Sequence, residues 1–147
     1  MSEEPGPEIQ ALFRAAEAVR SRAHAPYSAF RVGAAIRSET GRVHVGCNVE
    51  NAAYPVGTCA EAGAIAAMIA AGDRSITAIA VGGSGPEPCM PCGACRQRIA
   101  EFAQNDTIVY CFGNDSKVYV RANAMSLLPL SFSCRDLRPP RSRSKNE

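Results

Sequence analysis

The chain has 147 residues, of which 46% are hydrophobic and 20% are charged, and its formal net charge is +2. This size suits one domain with one core, and the composition excludes a disordered or fibrous protein. The small net charge gives no support to nucleic acid or membrane binding across the whole surface. The sequence has neither a long apolar run nor a secretory start, so we expect a cytoplasmic protein without a membrane span.

Helix and hairpin patterns occupy the first third of the chain. Apolar residues at helical spacing predict a helix over residues 8–22. Residues 31–38 and 43–47 each alternate in hydrophobicity, and a Thr40-Gly41 turn separates them. We therefore predict an amphipathic helix followed by a β-hairpin whose apolar face points inward.

The rest of the chain alternates helices with buried strands. Helices are predicted over residues 62–71 and 92–102, and strands over 76–81, 108–112 and 117–121. Strand-helix-strand crossovers make part of a sheet parallel. The prediction is a layered α/β domain with a mixed β-sheet of about five strands flanked by helices.

The C-terminal residues differ in composition from the rest of the chain. They hold five basic residues beside two prolines, which favours a solvated, disordered tail. We expect one folded domain over residues 1–134 and a basic tail over residues 135–147. The basic residues are Arg135, Arg138, Arg141, Arg143 and Lys145.

Three cysteines carry the strongest chemical signal. Cys92 and Cys95 are three residues apart at the start of a predicted helix, so their sulfurs project from the same side. Cys59 lies at the start of the preceding helix, and helix N-termini favour thiolates. Three thiolates would hold Zn²⁺ and leave the fourth tetrahedral position for water, as in catalytic sites.

Glu61 lies two residues beyond Cys59, close enough to sit beside the metal. Zinc-bound water ionises near neutral pH, and we predict that Glu61 accepts its proton and passes protons to the substrate. Two other interpretations stay open. Thr58 and Glu61 match a capping box, and Cys89 could be a fourth ligand, which would make the site structural.

The order of these motifs resembles the small, homotetrameric cytidine deaminases of the three-cysteine zinc type. C-x-E followed by P-C-x-x-C is a signature of zinc deaminases. The resemblance covers roughly residues 8–133 and implies a three-layer cytidine-deaminase-like fold. The matching segments are residues 26–35, 46–52, 58–61, 91–97 and 127–132.

The resemblance also implies a reaction and further site residues. Asn48 and Glu50 would hold the ribose hydroxyls, and Phe30 would pack against the pyrimidine. Ala60 would contact the substrate, and Phe132 would reach the pocket of a neighbouring subunit in a homotetramer. The implied reaction is hydrolytic deamination of cytidine, and of deoxycytidine, with release of ammonia in pyrimidine salvage.

Ala62 departs from the pattern of many three-cysteine relatives, which resemble this chain but carry Arg directly after the catalytic Glu. Such a guanidinium offsets the negative charge of three thiolates through hydrogen bonds to sulfur. We therefore expect helix-terminal N–H groups, or another basic residue such as Arg96, to supply that compensation here.

Two alternative functions stay open. The same zinc site could serve a deaminase for another aminated nucleoside, an antibiotic or a base within nucleic acid, although Asn48 and Glu50 favour a free nucleoside. A non-catalytic binding module stapled by zinc would instead need a fourth protein ligand. Cys47 and Cys111 are expected to be buried apolar residues.

Overall fold

The computed structural model describes residues 5–137 and places a mixed sheet between helices. Residues 138–147, most of the predicted tail, lie outside the described residues. Within the described part, no helix is long and apolar enough to cross a membrane. In chain order the elements are α1 (Pro7–Arg20), β1 (Val32–Ser38), β2 (Val43–Cys47), a 3₁₀ turn (Tyr54–Val56), α2 (Ala60–Ala70), β3 (Ile76–Gly83), α3 (Gly93–Phe102), β4 (Ala103–Phe112), β5 (Tyr119–Asn123) and a second 3₁₀ turn (Ala124–Leu127).

The sheet has the strand order β2-β1-β3-β4-β5. β3 and β4 pair in parallel because α3 forms a crossover between them, and the other neighbours pair antiparallel. Gly41 has a φ of +82° in the turn between β1 and β2, a conformation that glycine adopts without strain. The mixed α/β sheet that the sequence predicts is confirmed.

Helices cover both faces of this sheet. On one face, Leu12 and Phe13 of α1 are buried against a cluster that includes Phe112 of β4. On the other face, Met68 of α2 and Ile99 of α3 are buried in a second cluster. Each such side chain contributes roughly 1.5–3 kcal/mol by leaving water. Two buried clusters with the sheet between them form the three-layer arrangement, which is confirmed.

The main error in the predicted hairpin is the assignment of the inward and outward faces of β2. Val43 and Val45 are 48% and 41% exposed, whereas His44 is buried, so the prediction that the valines point inward is wrong. The inward face instead carries His44 and Gly46. Hydrophobic alternation defines two faces of a strand but does not say which one a helix covers.

Gly46 allows α2 to lie directly against β2. A Cβ atom at this position would be 2.3 Å from the backbone nitrogen of Ala64 and 2.4 Å from the carbonyl oxygen of Ala60. Gly63 faces this contact from the helix, and a Cβ there would meet the Cα of Gly46 at 3.4 Å. The start of α2, which carries Cys59 and Glu61, is therefore seated on the backbone of β2.

Asp73 joins the end of α2 to the β1–β2 hairpin, far from the cysteines along the chain. Its carboxylate is 2% exposed and accepts hydrogen bonds from the hydroxyls of Ser38 at 2.6 Å and Thr40 at 3.0 Å. The Arg42 guanidinium pairs with it, and Nε2 of His44 lies 2.8 Å away. The Arg42 guanidinium and these donors hold the pKa of Asp73 well below its usual range.

We expect Asp73→Asn to lower the melting temperature by several degrees, because the buried donors lose an ionised acceptor. The folded-state pKa lies below that of the unfolded chain, so the contribution is present above about pH 4 and is lost as the pH falls further. Thermal unfolding of both proteins from pH 7 to pH 3 should show the gap narrowing. Asp106→Asn, at an exposed position, is the matched control; equal shifts for the two variants would contradict the assigned role.

Candidate active site and metal centre

The N-termini of α2 and α3 converge and bring three thiols together. Cys59 and Cys92 are the N-cap residues of these helices, with extended backbones, and Cys95 lies in the first turn of α3. The Sγ atoms of these three residues all lie within 4.8 Å of one another. Those of Cys59 and Cys92 are 3.9 Å apart. The predicted clustering of the three cysteines is confirmed.

This thiol group fits zinc. Zinc–sulfur bonds of about 2.3 Å at tetrahedral angles require sulfur atoms about 3.8 Å apart, close to the separation of Cys59 and Cys92. Cys92 is exposed while Cys95 is buried, so the group opens toward solvent on one side. Three sulfur donors with one open side are the ligand set of a catalytic zinc site.

Backbone N–H groups at the start of α3 stabilise negative charge on Cys92. The N–H of Cys95 is the main cause that holds the pKa of the Cys92 thiol below its ordinary value, whereas burial raises the pKa of Cys59 and Cys95. The Arg96 guanidinium donates to the carbonyls of Pro91 at 2.9 Å and Leu127 at 3.1 Å. The prediction that helix-terminal N–H groups offset the negative charge of the thiolates therefore has support. The Arg96 guanidinium instead hydrogen-bonds to backbone carbonyls.

Cys89 lies outside the three-thiol group. It is half-buried, and burial is the main cause that raises the pKa of its thiol to about 11. The interpretation of Cys89 as a fourth ligand, and with it the closed structural site, loses its support. Cys111 is buried as predicted, and Cys47 is half-buried.

Glu61 is buried beside the thiols. It is 4% exposed, and desolvation raises the pKa of its carboxyl group above the ordinary value. The N-cap of α2 is Cys59, not Thr58, and it makes no side-chain capping bond, so the capping-box interpretation is wrong. A carboxyl group with a raised pKa is suited to hold and release a proton near neutral pH.

A cavity of about 540 Å³ opens above the thiols and Glu61, a volume that suits a small molecule. Its lining contains two carboxyl groups, those of Glu50 and Glu61, and no Lys or Arg among the residues that the structure describes there. The lining residues are Tyr27, Ser28, Val32, Asn48, Val49, Glu50, Asn51, Tyr54, Gly57, Thr58, Cys59, Ala60, Glu61, Cys89, Met90 and Cys92.

Asn48 and Glu50 lie at the wall of this cavity and bind the loop between α1 and β1. The Asn48 side chain accepts from the N–H of Val32 at 2.8 Å and donates to the carbonyl of Phe30 at 2.9 Å. One Glu50 oxygen accepts from the N–H of Tyr27 at 3.0 Å. Hydrogen bonds to this loop lower the pKa of Glu50, the hydroxyl of Ser28 being the largest cause, so its carboxylate is ionised.

The other predicted substrate contacts divide into two groups. Ala60 is fully buried and lines the cavity. Phe30 does not line it: a Cβ at Gly83 would lie 2.9 Å from the Phe30 ring, which therefore packs over the end of β3. Phe132 is 59% exposed and is also absent from the lining. Their predicted contacts with substrate stay predictions.

Two aromatic residues at the cavity escaped sequence reasoning. Tyr27 and Tyr54 form an edge-to-face pair with ring centroids 5.9 Å apart, and they are 51% and 76% exposed. Tyr54 belongs to a 3₁₀ turn that was not predicted. Each Tyr stands next to a proline in a segment that precedes Cys59, which was a signal for aromatic walls, but the pairing of the two rings depends on the fold.

The three-layer fold, the three-thiol group and the buried carboxyl group define a zinc-dependent hydrolytic enzyme rather than a structural zinc module. The sequence profile described as "Cytidine and deoxycytidylate deaminase zinc-binding region" matches residues 7–111. With this match over most of the folded part, the chain belongs to the cytidine and deoxycytidylate deaminase family.

Curated relatives and solved structures agree with this assignment. The chain is 39% identical over 130 residues to the cytidine deaminase of Sporosarcina psychrophila, an alignment that covers 88% of this chain and 95% of the relative. It is 41% identical to that of Halalkalibacterium halodurans, with coverages of 87% and 96%. The crystal structure of cytidine deaminase from Burkholderia pseudomallei superposes with a TM-score of 0.79 at 43% identity, covering 84% of this chain and 98% of that one.

Proposed function

We propose that the protein hydrolyses the exocyclic amine of free cytidine, and of deoxycytidine, to give the corresponding uracil nucleoside and ammonia. The single observation that carries this proposal is the burial of the Glu61 carboxyl group beside the three-thiol group at a small-molecule cavity. The names of the relatives support the choice of a cytosine nucleoside.

Cys59, Cys92 and Cys95 would hold the metal. When bound, zinc would lower the pKa of water and so would supply a nucleophile for C4 of the cytosine ring. The Glu61 carboxylate accepts one proton of the water and delivers it to N3 of the ring. It then takes the proton of the new C4 hydroxyl and delivers it to the amine, which leaves as ammonia while C4 becomes a carbonyl carbon. The N–H groups at the start of α3 favour the thiolate form of Cys92, and burial of Ala60 and Glu61 restricts bulk water.

The charge of the cavity favours a nucleoside over a nucleotide. A substrate phosphate is normally met by Arg, Lys or a helix N-terminus, and the two helix N-termini at this cavity carry the three-thiol group instead. The described lining contains no basic side chain, and the carboxylate of Glu50 faces the same space. A 5′-phosphate would lose solvation there and meet negative charge. Asn48 and Glu50 suit the hydroxyls of a sugar, because an amide and a carboxylate can donate to and accept from them.

Assembly and location belong to the same proposal. We propose a cytoplasmic homotetramer that serves pyrimidine salvage, with Phe132 reaching a neighbouring subunit. The support is the exposure of apolar side chains near the C-terminus, where Leu130 is fully exposed and Phe132 is 59% exposed. Apolar residues with this exposure are typical of subunit contacts.

Ammonia release from zinc-loaded protein tests the proposed reaction. We expect turnover of cytidine and deoxycytidine. The kcat/KM should be at least about 100-fold lower for free cytosine, which has no sugar, and for cytidine 5′-monophosphate, which adds a phosphate. Cytidine 5′-monophosphate as the preferred substrate would contradict the nucleoside assignment. No ammonia from any of the four compounds would favour the non-catalytic module, and turnover of only another aminated nucleoside or antibiotic would favour that alternative.

A further inference from the structure

Residues 27–32 comprise the loop before β1 and the first residue of that strand. The side chains of Asn48 and Glu50 and one backbone bond, from the N–H of Asn48 to the carbonyl of Val32, join them to the end of β2. Glu50 accepts from two backbone N–H groups of this loop through Oε1, those of Tyr27 and Ser28, at 3.0 and 3.1 Å. Its second oxygen, Oε2, accepts a hydrogen bond from the Ser28 hydroxyl. The orientation of the carboxylate plane is thus fixed by three donors, and Ser28 supplies two of them.

The Ser28 hydroxyl is itself held in place. Its oxygen accepts a hydrogen bond from the N–H of Phe30 at 3.0 Å, so its proton is free to point at Glu50. Ala29, between these residues, has a φ of +57°, a conformation that L-residues rarely adopt. Strained backbone of this kind persists where the surrounding contacts impose it. The loop therefore bends sharply to present one hydroxyl to one carboxylate oxygen.

We propose that Ser28 is a positioning residue that orients the Glu50 carboxylate for a sugar hydroxyl of the substrate. This inference rests on the proposed function, in which Glu50 contacts the sugar. A carboxylate offers about four acceptor sites, so three donors from the loop leave one site on Oε2 for the substrate. Because the Ser28 hydroxyl occupies one acceptor site on Oε2, it determines the direction of the other acceptor site on that oxygen.

Two features of the cavity single out Ser28 among the loop residues. Ser28 lines the cavity together with Glu50, so the pair faces the substrate directly. The two backbone N–H groups bond only to Oε1, so the Ser28 hydroxyl is the loop donor that restrains Oε2 against rotation of the carboxylate about the Cγ–Cδ bond. Loss of the hydroxyl would let Oε2 turn away, and part of the binding free energy of the sugar would then be used to reorient the Glu50 carboxylate.

The test compares cytidine with 2′,3′-dideoxycytidine, which has neither sugar hydroxyl. For Ser28→Ala we expect about a tenfold lower kcat/KM with cytidine, mainly through KM, and a change of less than about twofold with the dideoxynucleoside. Ser28→Thr keeps the hydroxyl and should recover most of the KM for cytidine. Ser21→Ala is the matched control, since that hydroxyl bonds the carbonyl of Ala18 outside the cavity.

Equal losses with both substrates, or no loss with cytidine, would overturn the proposal, because a merely structural role moves both substrates together. Zinc content and melting temperature of Ser28→Ala, measured beside these rates, should match those of the Ser21→Ala control. Glu50→Gln tests the proposed sugar contact separately from the positioning role of Ser28. If this variant still discriminates between cytidine and the dideoxynucleoside as strongly as the unsubstituted protein does, the sugar contact of the proposed function is wrong, and the role of Ser28 fails with it.

Discussion

Glu61→Gln should leave the zinc content unchanged and lower kcat for cytidine by about 10⁴-fold. The substitution keeps the size and polarity of a side chain that is 4% exposed, so the fold and the thiol group have little reason to change. It removes the only carboxyl group beside the three thiols within the described cavity that could carry a proton between water and the ring. KM should change far less than kcat, because the amide still fills the same space.

Elemental analysis for zinc and steady-state rates of ammonia release measure this outcome together. Glu101→Gln is the matched control, since Glu101 is an exposed carboxyl group in the last turn of α3, outside the cavity lining. A zinc-replete Glu61→Gln protein with near-normal turnover would contradict the proton-transfer role. A variant that had lost zinc would instead make Glu61 a residue of the metal site.

Cys92→Ala should lose both the metal and the activity. Cys92 is the exposed member of the three thiols and the one whose pKa is lowered, by the N–H of Cys95, so its sulfur is the readiest thiolate of the group. Two remaining sulfurs hold zinc poorly, and we expect affinity to fall by at least about 100-fold and turnover to disappear. The melting temperature should fall as well, because zinc bound by the three thiols would join the starts of α2 and α3.

Competition with a chromogenic chelator measures the zinc affinity, and circular dichroism reports whether the helices persist. Cys134→Ala is the matched control, an exposed cysteine outside the thiol group that should bind zinc and turn over normally. Retention of one zinc per chain and of activity by Cys92→Ala would show that the ligand set is wrong.

The parts of the site that sequence could predict are those encoded by local spacing. Cys59 and Cys92 each begin a helix, and helix starts are readable because propensity and capping position act over a few residues. The predicted starts of both helices place the three thiols and one carboxyl group at helix N-termini. Strand positions followed from apolar runs in the same way, although β4 begins at Ala103, several residues earlier than predicted.

The parts that sequence missed depend on which surfaces meet. The valines of β2 point outward because α2 packs on the glycine side of that strand, and alternation alone is blind to that choice. The ring of Phe30 packs over Gly83, a contact that spacing did not indicate, and its predicted contact with the pyrimidine stays a prediction. The bonds of Asn48 and Glu50 to residues 27–32 join segments far apart in sequence, so spacing could not indicate that both side chains also organise a loop.

The contact of Gly46 with α2 constrains how this protein can be redesigned. Gly46 lies two residues before Asn48 on one side and supports the helix that carries Glu61 on the other. One backbone contact thus fixes the spacing between the cavity wall at Asn48 and the three-thiol group with Glu61. Laboratory evolution toward new sugars should therefore accumulate changes in residues 27–32, where the wall is replaceable, and should leave Gly46 untouched.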